Sequence, residues 1–362
     1  MELIPLRVGP QKIDILVGRD CLSQHVGRVK STCGVGPVAV VTAEPIRRRY
    51  ARAVCTLLRR AGLTPLLLTV PDGERVKSLR WASYLYDRLI QAKFERGATL
   101  IALGGGVIGD LTGFVASTYL RGITFIQMPT TLVAQVDASI GGKTGVNHPK
   151  GKNLIGTFYQ PKLVLIDVST LRTLPRRELV GGMAEVVKYG VIADPGLFTF
   201  LEQHHAELLN DDLAFLERIV IRSARIKADV VAKDEREGGL RRILNYGHTL
   251  GHAIEAAAGY GRWHHGEAIS IGMDFAARLS ATLGVCDQRL VDRQHRLLER
   301  LGLPTRVPPR IDPQRLLSAM ALDKKIRGGR LHFVLPKRFG DVVVEPVGLT
   351  VVKGVLKACA RR

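Results

Sequence analysis

The chain has 362 residues, 46% hydrophobic and 24% charged, which suits two folded domains of ordinary size and excludes a disordered or fibrous chain. Its 53 Lys and Arg against 33 Asp and Glu give a net charge of +20. No aromatic-interleaved basic tract, zinc finger or RNA-binding signature accompanies that charge, so neither nucleic acid nor a membrane is expected as a partner.

The first half of the chain alternates short apolar runs with helical periods. "VAVVTAE" (38–44) predicts a buried strand and "IRRRYARAVCTLLRR" (46–60) a basic amphipathic helix. "PLLLTV" (65–70), "TLIALGGG" (99–106), "ITFIQMP" (123–129) and "LVLIDVS" (163–169) predict further strands. "SLRWASYLYDRLIQAKF" and "VIGDLTGFVASTY" predict helices between them. Apolar strands alternating with helices specify a largely parallel, Rossmann-like α/β sheet. Residues 129–153 read as a long glycine-rich loop, a feature that is functional more often than not.

From about residue 175 the pattern turns helical, beginning with "RRELVGGMAEVVKYGVI" and including "LGHAIEAAAGY" and "GEAISIGMDFAARLSATLG". A late "GGRLHFVLPKRFGDVVVEPV" predicts a β-hairpin. The Pro/Arg-rich "TLRTLPRRE" marks the boundary, giving an α/β nucleotide-binding domain at 1–175 and a mainly α-helical domain at 176–362. The five cysteines (Cys21, Cys33, Cys55, Cys286 and Cys359) form no C-x-x-C pair. The opening "MELIPLRVGPQKIDILVGRD" lacks a basic start followed by an apolar run, so no signal peptide is expected, and no apolar run reaches the roughly 18 residues of a membrane span. A cytoplasmic protein is the expectation.

Four constellations carry chemistry. In "LGGGVIGD", Gly104, Gly106 and Gly109 follow a strand and open a helix, the setting in which glycines admit a pyrophosphate to a helix N-terminus. The usual ribose-binding acid about 20 residues further on is missing, since that region reads "QMPTT". "PDGERVKS" (71–78) offers a substitute, with Asp72 or Glu74 for ribose hydroxyls and Lys77 for charge. The 129–153 segment places Asp137 among apolar residues, and Lys143, Lys152 and Asn153 among glycines. "GGMAEVVKYG" sets Glu185 and Lys188 on one face of an apolar helix, where a charge needs a partner. A glutamate joined by histidines from other helices is the ligand set of a catalytic zinc with an open position. His248 and His252 share a helical face, and His264 and His265 follow in "RWHHGEA". Spacing alone does not choose among these four. The absence of the H-E-x-x-H glutamate disfavours a zinc peptidase. His204 and His205 read as ordinary surface or core residues.

Taken together, these segments resemble the 3-dehydroquinate synthases. "PDGERVKS", "LGGGVIGDLTGFVASTYLRG", "FIQMPTTLVAQVDASIGGKTGVNHPKGKNLIGTFYQP", "LPRRELVGGMAEVVKYG", "KADVVAKDEREGGLRRILNYGHTLGHAIE", "HGEA" and "DKK" run in order from about residue 71 to 325. Only His264 departs, standing where an apolar residue is expected. The resemblance implies an α/β NAD-binding domain and a helical metal-binding domain with the active site between them. It implies conversion of 3-deoxy-D-arabino-heptulosonate 7-phosphate to 3-dehydroquinate and phosphate, with NAD+ and one divalent metal, Zn2+ or Co2+, in a homodimer.

The resemblance also implies the site residues. The metal ligands are Glu185, His248 and His265. His252 faces the leaving phosphate with Lys152, Asn153, Lys324 or Lys325, and Asn245, which is expected one turn before His248 on the same helical face, and Arg121 reaches in from a second subunit. Lys188, Lys227 and Arg241 hold the carboxylate and hydroxyl end, and Asp137 orients hydroxyl or water groups. NAD contacts Asp72, Gly73, Glu74, Arg75, Val76 and Lys77; Gly106, Val107, Ile108, Gly109 and Asp110; Thr130, Thr131, Lys143 and Lys152; and Thr170, Leu171, Arg172 and Thr173. The rivals are another sugar phosphate cyclase, a metal-dependent alcohol dehydrogenase of related fold, and a basic nucleic-acid-binding protein.

Overall fold

The computed structural model of the chain describes residues 1–209, 212–259, 262–308, 311–323 and 330–361. It divides into two compact units, Met1–Leu174 with Leu216–Arg236, and Pro175–Phe215 with Glu237–Arg362. A single cut between 175 and 176 therefore misplaces residues 216–236. From the helix Leu213–Lys233, Glu217 pairs with Arg19 (2.8 Å), Arg225 with Glu2, and Lys227 with Asp137 (2.7 Å), all residues of the first unit.

The first unit is built on a seven-stranded sheet of β1 (Glu2–Val8), β2 (Gln11–Gly18), β3 (Val38–Ala43), β4 (Pro65–Val70), β5 (Thr99–Gly104), β6 (Thr124–Pro129) and β9 (Leu163–Asp167), in the order β1-β2-β9-β6-β5-β3-β4. All neighbours are parallel except the β1–β2 hairpin. Strands β3 and β5 are buried at every residue because both faces of the sheet are covered. Ala39, Val41, Leu100 and Ala102 enter one core cluster, while Val38, Val40, Ile101 and Leu103 enter the other, following the period of two. Strand order reverses around β3, which has β4 on one side and β5 on the other, so a topological switch point lies at the ends of β3 and β5.

Two hairpins depart from the sequence reading. The N-terminal β1–β2 pair alternates buried Ile4, Leu6 and Val8 with exposed Pro5 and Arg7. The supposed glycine-rich loop holds a π-helical turn, Ala134–Ala138, and then the antiparallel pair β7 (Lys143–His148) and β8 (Gly151–Phe158). Their glycines and lysines conceal the alternation that marks a strand.

Among its described residues the second unit is helical, with the antiparallel hairpin of β10 (Arg330–Arg338) and β11 (Asp341–Gly348) that the sequence predicts. Its core joins Leu250 and Ile254, Phe275 and Leu279, Leu331, Phe333 and Leu335 from β10, and Leu356. Among the described residues, no helix is long and apolar enough to cross a membrane.

Candidate functional site

At the switch point, β5 ends at Gly104 and the helix Gly106–Thr118 begins two residues later, so its first backbone N–H groups lie at the carboxyl edge of the sheet. This helix carries Gly106, Val107, Ile108, Gly109 and Asp110. Beside it, Thr130 is buried, and its Oγ1 has no hydrogen-bond partner among the described residues. Thr131 Oγ1 accepts from Ala134 N–H (3.3 Å). Gln135 Nε2 donates to Thr170 Oγ1 (3.0 Å), which ties the 3-10 segment Val168–Thr173 to the same edge.

The 72–77 turn lies against these groups. Asp72, Gly73 and Arg75 are exposed, whereas Val76 and Lys77 are buried. Lys77 Nζ donates to Asp110 and to Asn153 Oδ1, so the lysine expected to face a nucleotide is held between a carboxylate and a residue of β8. Burial raises the Asp110 carboxyl, and Lys77 opposes that rise. Asn153 sits in the left-handed region at φ 57°, and its N–H donates to Asn147 Oδ1 (3.0 Å). Asn147 Nδ2 in turn donates to Glu74 Oε1 (2.7 Å). Lys152 Nζ is 4.0 Å from the same Glu74 oxygen, and Lys143 is exposed at the start of β7. Asp137, in the π-helical turn, accepts from Lys227 Nζ at 2.7 Å. Arg121 is exposed with φ 68°. The 72–77 turn after β4, the helix N-terminus after β5 and the orphaned Thr130 hydroxyl after β6 all lie at the carboxyl edge of the sheet, an arrangement that fits a dinucleotide.

In the second unit three helices converge. Arg176–Ile192 brings Glu185 and Lys188, His248–Ala258 brings His248 and His252, and His265–Thr282 opens on His265. Glu185 Oε1 is 3.5 Å from His248 Nε2 and 3.2 Å from His265 Nε2. Two ligand atoms about 2.0–2.1 Å from a tetrahedral ion are separated by roughly 3.3 Å. The donor set therefore fits a divalent cation. His248 Nδ1 faces Tyr246 O at 3.0 Å, which leaves Nε2 for an ion. Burial drives the His248 imidazole well below its usual range, with Glu185 opposing, so it stands neutral as a ligand must. Burial also lowers His265, but Glu185 and Glu255 outweigh it and push the ring up to about 10. A cation held there would take the place of the Nε2 proton, since the ligating nitrogen must be free of it. Lys188 Nζ pairs with Glu185, giving that buried lysine its counter-charge.

Close helix packing sets this geometry. A Cβ on Gly266 would lie 1.8 Å from Gly181 O, and one on Gly272 would lie 1.8 Å from Gly247 O. Only glycine lets the three ligand-bearing helices approach so nearly. The unexpected His264 is the N-cap of the His265–Thr282 helix. Its N–H donates to Glu267 Oε2 (2.9 Å), and Arg177 grips Glu267 with two bonds (2.6 and 2.8 Å).

Asn245 departs from its expected place. It ends a separate 3-10 turn, Leu240–Asn245, and Gly247 breaks the backbone at φ 79° before His248. It is therefore not one turn earlier on the His248 helix, and its amide donates to Glu237. Arg241, in the same turn, is 1% exposed. Lys324 and Lys325 lie outside the described residues. His204 pairs with Glu207 (2.8 Å) and His205 faces Glu202 O (3.1 Å), and neither belongs to a group of possible metal ligands among the described residues. Asn147, Glu237 and Glu255 escaped the sequence reading. Only Glu255 carried a signal, seven residues after His248 on one helical face.

Comparison with known proteins adds the lineage. Residues 67–181 match the family described as 3-dehydroquinate synthase N-terminal, and 182–326 its C-terminal counterpart. A 3-dehydroquinate synthase from Pelobacter propionicus is 49% identical over 352 residues, covering 95% of this chain and 96% of the relative. The chain belongs to the 3-dehydroquinate synthase family. Solved sugar phosphate cyclases share its fold at lower identity. A 2-deoxy-scyllo-inosose synthase complexed with carbaglucose-6-phosphate, NAD+ and Co2+ has a TM-score of 0.89 at 27% identity, covering 99% of this chain and 100% of that one. A 2-epi-5-epi-valiolone synthase from Streptomyces hygroscopicus subsp. jinggangensis 5008, with NAD+ and Zn2+ bound, gives 0.88 at 28%, covering 98% and 99%.

Proposed function

We propose that the chain works as a homodimeric, cytoplasmic enzyme that uses NAD+ and one Zn2+ or Co2+ ion, with the residue roles given below. Its activity is that of its family, a phosphate-eliminating carbon–oxygen lyase of the shikimate pathway. The substrate is 3-deoxy-D-arabino-heptulosonate 7-phosphate and the products are 3-dehydroquinate and phosphate. One observation carries the assignment, the Glu185, His248 and His265 donor atoms lying within 4.8 Å of one another in a chain 49% identical to a 3-dehydroquinate synthase.

NAD+ supplies a hydride acceptor that returns the hydride, and the divalent ion supplies Lewis acidity toward substrate hydroxyls. Glu185, His248 and His265 hold the ion and leave room for substrate oxygen. The 72–77 turn, Gly106–Asp110, Thr130, Thr131, Lys143, Lys152 and Thr170–Thr173 hold the nucleotide. Asp137, fixed by Lys227, orients a hydroxyl and receives or relays its proton. Lys188, Lys227 and Arg241 bind the carboxylate and hydroxyl end, where their positive charges suit an anionic substrate. His252, Lys152, Asn153, Asn245 and one lysine of 324–325 bind the leaving phosphate, with Arg121 contributed by a second subunit. Leu154 (66% exposed) and Phe158 (42%), on one face of β8, support a subunit interface. The five free cysteines support a reducing compartment.

The test is incubation of purified protein with the heptulosonate phosphate, NAD+ and Zn2+. Phosphate and dehydroquinate should form together with no net NADH. Stoichiometric NADH would indicate a dehydrogenase, and turnover of glucose 6-phosphate instead would indicate another cyclase.

A further inference from the structure

We infer that Glu255 is a positioning residue for the metal ligand His265, an inference resting on the ligand reading above. The helix His248–Ala258 presents His248, His252 and Glu255 along one face, and Glu255 is 7% exposed. A carboxylate so buried needs a partner. Glu255 Oε2 lies 3.3 Å from His265 Nδ1, while His265 Nε2 lies 3.2 Å from Glu185. The two nitrogens of an imidazole point in diverging directions and cannot serve one ion. With Nε2 on the ion beside Glu185 and His248, Glu255 receives the Nδ1–H. That bond fixes the tautomer, holds the ring plane and makes Nε2 a stronger donor. His248 is held by a backbone carbonyl, Tyr246 O at 3.0 Å, so the two histidines are oriented by different means. His265 depends on a side chain that can be substituted.

Glu255, His252 and His265 also form a second cluster of possible ligands, with donor atoms within 4.8 Å of one another. The experiment must therefore separate positioning from direct ligation. Zn2+ titration with a competing chromophoric chelator, on the full chain with NAD+ present, gives affinity and stoichiometry together. Glu255→Ala should bind one equivalent, as does the wild type, with roughly 10–100-fold lower affinity. Glu255→Gln keeps an acceptor for Nδ1–H and should recover part of that loss. The Co2+-loaded variants should show altered visible ligand-field bands, which a purely structural defect away from the ion would not move. Thermal melting identifies any variant that fails to fold, and Glu255→Gln is then the one that decides. Unchanged Zn2+ affinity in both variants overturns the inference. So does a wild type that binds two equivalents and loses one with Glu255→Ala, because Glu255 would then be a ligand. A wild type that binds no Zn2+ in the same titration refutes the ligand reading itself.

Discussion

Lys227 Nζ lies 2.7 Å from Asp137 Oδ1, although the two residues are 90 positions apart in sequence. The lysine side chain is 7% exposed and the aspartate 23%, so the pair is largely withdrawn from water. Removing one partner of such a pair leaves the other charge poorly solvated. Lys227→Met should lower unfolding free energy by about 1–3 kcal/mol. It should also cut kcat by about 10²-fold if Asp137 handles a proton. Denaturant melts and steady-state kinetics separate the two effects. Normal kcat in a destabilised variant would confine the pair to folding.

His248 and His252 should separate on substitution. His248→Ala should weaken Zn2+ binding by more than the roughly 10–100-fold that loss of an outer-shell partner costs. His252→Ala should keep its metal and lose turnover. Zinc content after dialysis against a weak chelator, measured beside kcat, decides this. Equal metal loss in both variants would return His252 to the ligand set.

The glycine contacts make a packing prediction. Gly266→Ala and Gly272→Ala each place a Cβ 1.8 Å from a backbone oxygen of a neighbouring helix. Each should destabilise by about 1–3 kcal/mol or more and weaken Zn2+ binding in parallel. Gly181→Ala, whose Cβ would meet nothing within 4 Å, is the matched control. Melting temperatures and Zn2+ affinities of the three variants test this.

Alkaline pH should expose the buried thiols. Burial pushes Cys21 up to about 12, with nearby Asp167 adding to it, and pushes Cys33 up to about 11. The unfolded chain loses these protons near the ordinary value of 9.0 while the native state keeps them. Proton binding is then greater in the native state, so stability is full below pH 9 and falls as pH rises from 9 toward 12. Cys21→Ala should lose less stability than wild type between pH 8 and 10.5. Parallel slopes would mean that the thiol ionises freely in the fold.

The strands of the parallel sheet were legible because burial on both faces leaves uninterrupted apolar runs such as "VAVVTA". The β7–β8 hairpin was not, since its pattern is broken by Gly145, Gly151 and Gly156 and by lysines. The metal trio followed from motif resemblance, whereas spacing alone left four histidines open. Asn245 was misplaced because helical periodicity was carried across Gly247, where the backbone turns left-handed. The helix Leu213–Lys233 was put in the wrong unit because an amphipathic stripe does not reveal which core it faces. Asn147 carries no sequence signal. It matters because its backbone N–H reaches Lys77 O (2.9 Å) while its amide bridges Glu74 and Asn153.

The contacts of Gly266 and Gly272 also bear on how such a protein can change over generations. Each residue's missing side chain sets the approach of two helices that carry different metal ligands. A lineage cannot enlarge these positions to gain core volume and afterwards repair the metal cluster, because one step does both. Drift is open to the solvent-facing helix surfaces, where the excess arginines can accumulate. The cradle itself can only be inherited whole or lost.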